Sequence, residues 1–263
     1  MKESSIFNIP LNAIGVNNND WVKVNHYAIK EVVAGLMKAN AFDIVPIVDA
    51  NEECEFCWKT VTEGDYSSIE KYKIGSADII YHKTELKDYL KKMHRENRSW
   101  YFLGDHNKIN GLISACNLNS RFLRVYVYQM ICELEMNLGH YFKSQLDQSA
   151  IIEQLSKLAE ESENGSAQDV LDRYNAAKEK GLDNHIVEYL YLLQFYKLIV
   201  KLNLKEQIGY TSGKKIKRDF GFINEFRNWS AHPLKTDIKV SLQTGLWELS
   251  NLVGSLRLTF QKF

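Results

Sequence analysis

The most chemistry in the shortest span lies in Arg227-Asn228-Trp229-Ser230-Ala231-His232, followed by Pro233. Arginine is charged at any physiological pH, and its planar fork matches phosphate oxygens. Histidine titrates near neutrality and can take or give a proton. Together they supply what a phosphodiester cleavage needs in the absence of a metal. On one continuous helix Arg227 and His232 would diverge by about 140° and could not share a ligand. His232 precedes a proline, however, and such a residue is pushed out of the α region. The helix is therefore expected to end between Trp229 and Ala231, so that His232 swings back over its end toward Arg227. Asn228 would orient His232 or the phosphate.

The element that must position this motif is a helix over Lys214 to Trp229. Phe222, Phe226 and Trp229 recur at i, i+4 and i+7, with Ile223 beside them, so this face reads as core. Upstream on the same helix, Lys214, Lys215, Lys217 and Arg218 form a basic run. It reads either as contacts to an RNA backbone or as a solvated helix start. A long helix from about Asn119 to Lys143 opens the second half of the chain. Val127, Ile131, Leu134, Leu138 and Tyr141 form its apolar stripe. Glu133 and Glu135 on that helix are candidate supporting partners of Arg227, or solvated or paired charges. Further helices are expected over Ile151 to Ala159, Ala167 to Lys180 with Gly181 as its stop, Asn184 to Leu202, and Val240 to Phe260. Glu161 to Ser166 and Thr211 to Gly213 read as breaks. This is an up-and-down helical bundle.

The 263 residues suffice for two modest domains. Lys+Arg and Asp+Glu both number 33, so a nucleic-acid partner would have to be drawn by a local patch. No run approaches the ~20 apolar residues of a membrane helix, and the N-terminus lacks the apolar run of a signal peptide, so a cytoplasmic protein without membrane partners is expected. Cys54 and Cys57 make one C-x-x-C with no second pair, which favours small buried residues over a zinc site; no metal is expected.

The first half reads as two similar units. In the first, Val22 to Val24 is a short strand, Tyr27 to Lys38 a helix, Ile44 to Asp49 a buried strand and Glu55 to Val61 its return. In the second, Asp78 to Tyr81 is a strand, and a helix capped by Thr84 runs to about Glu96. Strands at Trp100 to Asp105 and Leu112 to Ser114 bracket a turn, His106 to Gly111. Thr62 to Ile74 reads as a linker. The run Val45-Pro46-Ile47-Val48-Asp49 and the ending Gly111-Leu112-Ile113-Ser114-Ala115-Cys116-Asn117-Leu118 resemble a tandem pair of CBS domains. That resemblance implies an adenine nucleotide as regulatory ligand, held near Val45 and Pro46 and by Ser114 and Asn117. Asn117 replaces the family's usual Asp, and the first unit carries Trp58 where a small hydroxyl residue is usual. The other reading is a dimerisation or spacer module.

The helical half, with Arg227, Asn228 and His232 in order and spacing, resembles the HEPN superfamily. Glu133 and Glu135 in Cys132-Glu-Leu-Glu-Met136 match its opening helix. The resemblance implies a metal-independent RNA endonuclease, with two motifs meeting across a homodimer and no cofactor required. The fold expected is thus α+β: residues 1–117 a CBS-like α/β pair, residues 118–263 a HEPN-like bundle. The function expected is an RNA-cutting toxin or anti-phage effector gated by a nucleotide. The alternatives are a non-catalytic nucleotide-binding regulator and a dimerisation or partner-docking module.

Overall fold

A computed structural model describes residues 9–105, 108–161, 165–182, 184–232 and 241–260. The expected turn residues His106 and Asn107, loop residues Ser162 to Asn164, Pro233 and Val240 lie outside these. The chain divides into two units, residues 1–120 and 121–263. The architecture is α+β, with two small sheets in the first unit and helices in the second.

The first unit contains two strand–helix–strand–strand motifs. The first comprises β2 (Val24–Asn25), α1 (Lys30–Asn40), β3 (Ile44–Val48) and β4 (Phe56–Thr60). The second comprises β6 (Ile79–Tyr81), α2 (Leu86–Glu96), β7 (Trp100–Gly104) and β8 (Ile109–Ser114). In each, the helix joins a parallel strand pair and an antiparallel strand follows. Both helices stop on a left-handed residue, Ala41 and Asn97, three positions before the inner strand begins. β3 is buried throughout, as its unbroken apolar run requires. On α2, Leu86, Tyr89, Leu90 and Met93 are fully buried at i, i+3, i+4 and i+7.

A fourth strand completes each sheet, and neither was read from the sequence. β5 (Ile69–Lys73) lies inside the expected linker and pairs antiparallel with β4. Its Glu70, Lys71 and Lys73 are exposed, the composition of a protected sheet edge and not of a linker. β1 (Val16–Asn17) comes from the N-terminal side of the first motif, yet pairs antiparallel with β8 of the second. The orders are therefore β2-β3-β4-β5 and β1-β8-β7-β6.

Other expectations shift as well. α1 begins at Lys30, not Tyr27, and of its apolar positions Ile29 and Val32 are 63% and 66% exposed while Val33 and Met37 are buried. Thr84 does not cap α2; Glu85 precedes the helix in extended backbone, and the Thr84 carbonyl accepts from the Leu11 N–H.

The second unit contains α3 (Arg121–Gln145), α4 (Gln148–Glu161), α5 (Ser166–Glu179), α6 (Leu192–Lys201), α7 (Gly213–Ala231) and α8 (Leu242–Phe260). The whole predicted stripe of α3 is buried, and α7 and α8 pack on this helix. Gly181 follows α5 with φ 74°, the left-handed stop expected of it. The expected helix over Asn184 to Leu202 is divided: a 3-10 turn covers Ile186–Tyr189, and Leu190 and Tyr191 are extended before α6. Phe226 and Trp229 are buried and Phe222 is half-buried against Phe226. Among the described residues no helix is long and apolar enough to cross a membrane.

The β1–β8 pairing depends on backbone proximity. A Cβ at Gly111 would lie 2.6 Å from the Val16 carbonyl oxygen, and one at Gly15 would lie 2.8 Å from that of Leu112. Gly111→Ala must push β1 away, and the overpacking is expected to cost about 2 kcal/mol. The midpoint of urea unfolding, followed by tryptophan fluorescence, measures this; an unchanged midpoint would show that β1 adds nothing to stability.

Candidate functional site

In the helical unit the motif sits at the end of α7. The helix stops at Ala231, and His232 has left the helical region at φ −115°, ψ 98°. Its backbone N–H still donates to the Asn228 carbonyl at 3.1 Å, and the residue is exposed. The end is pinned by a residue that the sequence reading missed. Arg124 on α3 is 6% exposed, and its Nη1 donates to the carbonyls of Trp229 at 2.9 Å and His232 at 3.1 Å. Its guanidinium also lies 4.6 Å from the Trp229 ring centroid. A cation on the orphan carbonyls of a helix C-terminus is favourable on both hydrogen-bond and dipole grounds. The signal was legible: Arg124 is three residues before Val127 and seven before Ile131, on the buried stripe.

Arg227 is half-buried, and its Nε lies 3.2 Å from Glu135 Oε1. The approach is that of an ion pair, not of a well-aligned hydrogen bond. Its guanidinium is also 5.8 Å from the Tyr191 ring centroid. Glu135 Oε1 accepts from the Leu192 N–H at 3.1 Å, the first residue of α6. That contact between α3 and the start of α6 belongs to tertiary structure, which is why the break before α6 was invisible to periodicity. Glu133 is placed elsewhere, 3.6 Å from Arg257 Nη1. Of the two glutamates, then, Glu135 meets Arg227 and Glu133 does not. Asn228 is half-buried. Lys214, Lys215, Lys217 and Arg218 are exposed at the other end of α7, with Lys217 about 15 Å from Arg227 along the axis. Arg218 there pairs with Asp219 at 2.9 Å.

In the first unit a cleft of about 370 Å³ opens between the two motifs. This is at the small end of the range for small-molecule sites. One wall runs from Asn40 to Ile44, the turn from α1 into β3. The facing wall holds Val16, Ser99, Trp100, Leu112 and Ser114 to Asn117. Asp20, Trp21, Val22 and Glu63 complete it. Two of its wall residues, Val16 and Leu112, are register partners in the β1–β8 pair. Trp100 carries the Arg98 guanidinium 3.8 Å from its ring centroid, and Arg98 is tied to buried Asp78 at 2.7 Å.

Ser114 and Asn117 both line the cleft. Asn117 Oδ1 accepts from the Ser114 N–H at 2.8 Å and from its Oγ at 3.1 Å, capping the 3-10 turn Ala115–Asn119. The carboxamide oxygen is thus used locally, and Asn117 can offer a ligand its amide donors. Val45 and Pro46 do not line the cleft. They lie in buried β3 opposite Trp58 and Cys57, and Val45 is fully enclosed in the core with Val33, Met37 and Ile69. The counterpart of Ser114 in the first motif is also not Trp58. Ser114 pairs with Trp100, the first residue of its inner strand; Lys59 pairs with Ile44, the first of the other. The aromatic and acidic lining was missed because it comes from loops and strand starts without a periodic signal.

Cys54 and Cys57 are buried, and burial pushes both thiols up to about 12. Among the described residues no group of three or more His, Cys, Asp or Glu side chains could hold a metal ion.

No family model matches this sequence, and no curated protein matches it. Solved structures similar to its N-terminal part include a protein assigned to acetoin utilization (AcuB) from Vibrio cholerae. It is 13% identical, with a TM-score of 0.34, over 41% of this chain and 86% of that one. An uncharacterized conserved protein from Pyrococcus horikoshii is 12% identical, with a TM-score of 0.33, over 43% of this chain and 90% of that one. The CBS domain of the bacterial CNNM/CorC family Mg2+ transporter, solved with the inhibitor IGN95a, is 13% identical, with a TM-score of 0.33, over 43% of this chain and 75% of that one.

The pair at Arg227 has a pH signature. Burial raises the Glu135 carboxyl, while Arg227 and the Leu192 N–H hold part of that rise back. A carboxyl raised in the folded state contributes stability at low pH and loses it as pH climbs from the unfolded to the folded value. Arg227→Ala removes the restraining charge and widens that interval. It is expected to cost about 2 kcal/mol at pH 7.5 and distinctly less at pH 4.5. Urea unfolding at the two pH values checks this; equal losses would show that the ion pair is not the source. Alkylation by iodoacetamide at pH 8, read by mass spectrometry, should reach exposed Cys116 well before Cys54 and Cys57.

Proposed function

We propose that this protein is a ligand-responsive regulator whose N-terminal motif pair binds an adenosine-containing molecule in the cleft, with the helical unit as its output. The observation that carries the reading is the cleft itself. It is built from both repeats, has two tryptophans and a phenylalanine in its lining, and holds Ser114 and Asn117 together at one end. Aromatic walls with a few convergent polar groups suit a base and a sugar. The cleft residues Ser114 to Asn117 lie only a few positions before α3 starts at Arg121. A ligand that orders this turn therefore acts close in the chain to the helix on which α7 is packed. Differential affinity for two arrangements of the output would make the ligand a switch.

On this reading adenosine, added at about a hundred times its Kd, stabilises the protein by about 2.7 kcal/mol, visible as a raised Tm. Trp100→Ala removes the aromatic wall and should abolish the shift while leaving the helical unit folded by circular dichroism. An identical shift in parent and variant would place the ligand elsewhere.

A second reading, metal-independent RNA cleavage by a homodimer, is favoured by a specific observation on α7. Arg227 is paired with Glu135 through Nε and makes no Nη hydrogen bond or ion pair among the described residues, while His232 stands exposed just past the helix end. In that chemistry His232 takes the proton of a ribose 2′-hydroxyl, the 2′-oxygen attacks phosphorus, and Arg227 stabilises the charge on the phosphoryl oxygens. The 5′-oxygen leaves after receiving a proton from the second copy's histidine, giving a 2′,3′-cyclic phosphate and a 5′-hydroxyl. Asn228 orients the reacting groups, and Lys214, Lys215, Lys217 and Arg218 hold the RNA backbone. Incubation with total RNA in EDTA tests it. Arg227→Ala and His232→Ala should each slow cleavage at least a hundredfold; a parent protein that cleaves nothing, with or without adenosine, leaves the regulator reading alone.

A further inference from the structure

The charge of the cleft narrows what can enter it. Asp20, Asp43 and Glu63 line it, and no lysine or arginine does among the described residues. The guanidinium of Arg98 lies over Trp100, but it is already paired with buried Asp78. No lining residue begins a helix long enough to present an N-terminal anion site; the turn Ala115–Asn119 has its leading N–H taken by Ser99 and its cap closed by Asn117. A phosphate monoester would therefore meet carboxylates without a counter-cation, a repulsion that a cleft with low-dielectric walls strengthens.

The same lining is well suited to hydroxyls and amines. Asp43 spends Oδ1 on Thr60 Oγ1 at 3.2 Å and on the Gly64 N–H at 2.8 Å, which fixes the carboxylate at the mouth of the turn. Ser114 gives its hydroxyl proton to Asn117 and keeps lone pairs to accept with, while Asn117 keeps its amide to donate with. One further group favours a ligand with an acceptor. Trp21 is 6% exposed and lines the cleft, yet its indole N–H is buried with no acceptor among the described residues. A buried donor without an acceptor costs about 1–3 kcal/mol, so a shift of the Trp21 ring that brought this N–H to a ligand's neutral acceptor, such as a purine ring nitrogen, would be favoured.

We infer that the cleft selects an uncharged or positively charged nucleoside and rejects its phosphate esters. This rests on the regulator reading above and replaces the adenine nucleotide expected from the sequence by a nucleoside without phosphate. The ribose diol supplies donors to the carboxylates and acceptors to Asn117; a 5′-amine would add a cation where three carboxylates stand.

The test is calorimetric titration of the full chain with adenosine, 5′-amino-5′-deoxyadenosine, AMP and ATP at low and moderate salt. Adenosine and the amine are expected to bind, the amine more tightly and with loss of its advantage as salt rises. AMP is expected to bind at least tenfold more weakly than adenosine, and ATP more weakly still. Asp20 and Glu63 are exposed and hold no buried structure, so Asp20→Asn/Glu63→Gln keeps the fold and should narrow the adenosine-to-AMP ratio by three- to tenfold. AMP or ATP binding as tightly as adenosine overturns the inference and leaves the ligand cleft standing. A parent that discriminates by a ratio the double variant does not change also overturns it, because charge is then not the cause. Binding of none of the four compounds overturns the regulator reading together with the inference.

Discussion

β1 is two residues long, yet it closes the second sheet, because Gly15 and Gly111 let its backbone lie directly against β8. The cleft depends on that approach. Val16 and Leu112 face each other across the β1–β8 pair and both line it, Ser114 ends the same strand, and Asn117 follows in the next turn. The chain thus passes through the sheet of the second motif at β1, builds the first, and returns. Each sheet borrows its fourth strand from outside the repeat, β5 in one and β1 in the other. The two motifs are tied together before any ligand arrives, and the space between them is a consequence of how the strands are shared.

In the helical unit the charged residues serve the fold before any chemistry. Arg124 is buried and satisfies carbonyls that the end of α7 would otherwise leave open. Glu135 joins Arg227 to the N-terminus of α6, where a carboxylate meets both a free backbone N–H and the positive end of the helix. These two contacts hold the end of α7 and the start of α6 in place. A functional role for Arg227 would have to operate within that pairing, using the amino groups that Nε leaves over. Among the described residues His232 is held through its main chain, and its side chain is exposed.

What could be read from residues alone follows repetition and burial. The stripe of α3, the all-apolar β3, the helix–strand order of the two motifs and the escape of His232 from the helix before a proline each rest on local sterics or on a regular apolar period. The sites were less legible. Ser114 and Asn117 were found because they carry a short pattern; Val45 and Pro46 were drawn in by neighbouring residues and proved to be core. Trp21, Trp100 and the three acidic residues escaped notice because a cleft lining is assembled from loops and strand starts remote in sequence.

The sequence by itself therefore determined the two-part organisation, the types of most elements and the stop of α7, since these are settled by contacts within a few residues along the chain. Only the tertiary structure decided that β1 crosses to β8, that Glu135 and not Glu133 meets Arg227, that Arg124 closes the helix end, and that the cleft is acidic. Each of these is a pairing between groups far apart in sequence. Whether such groups meet depends on sheet order and helix packing, which local propensity does not encode.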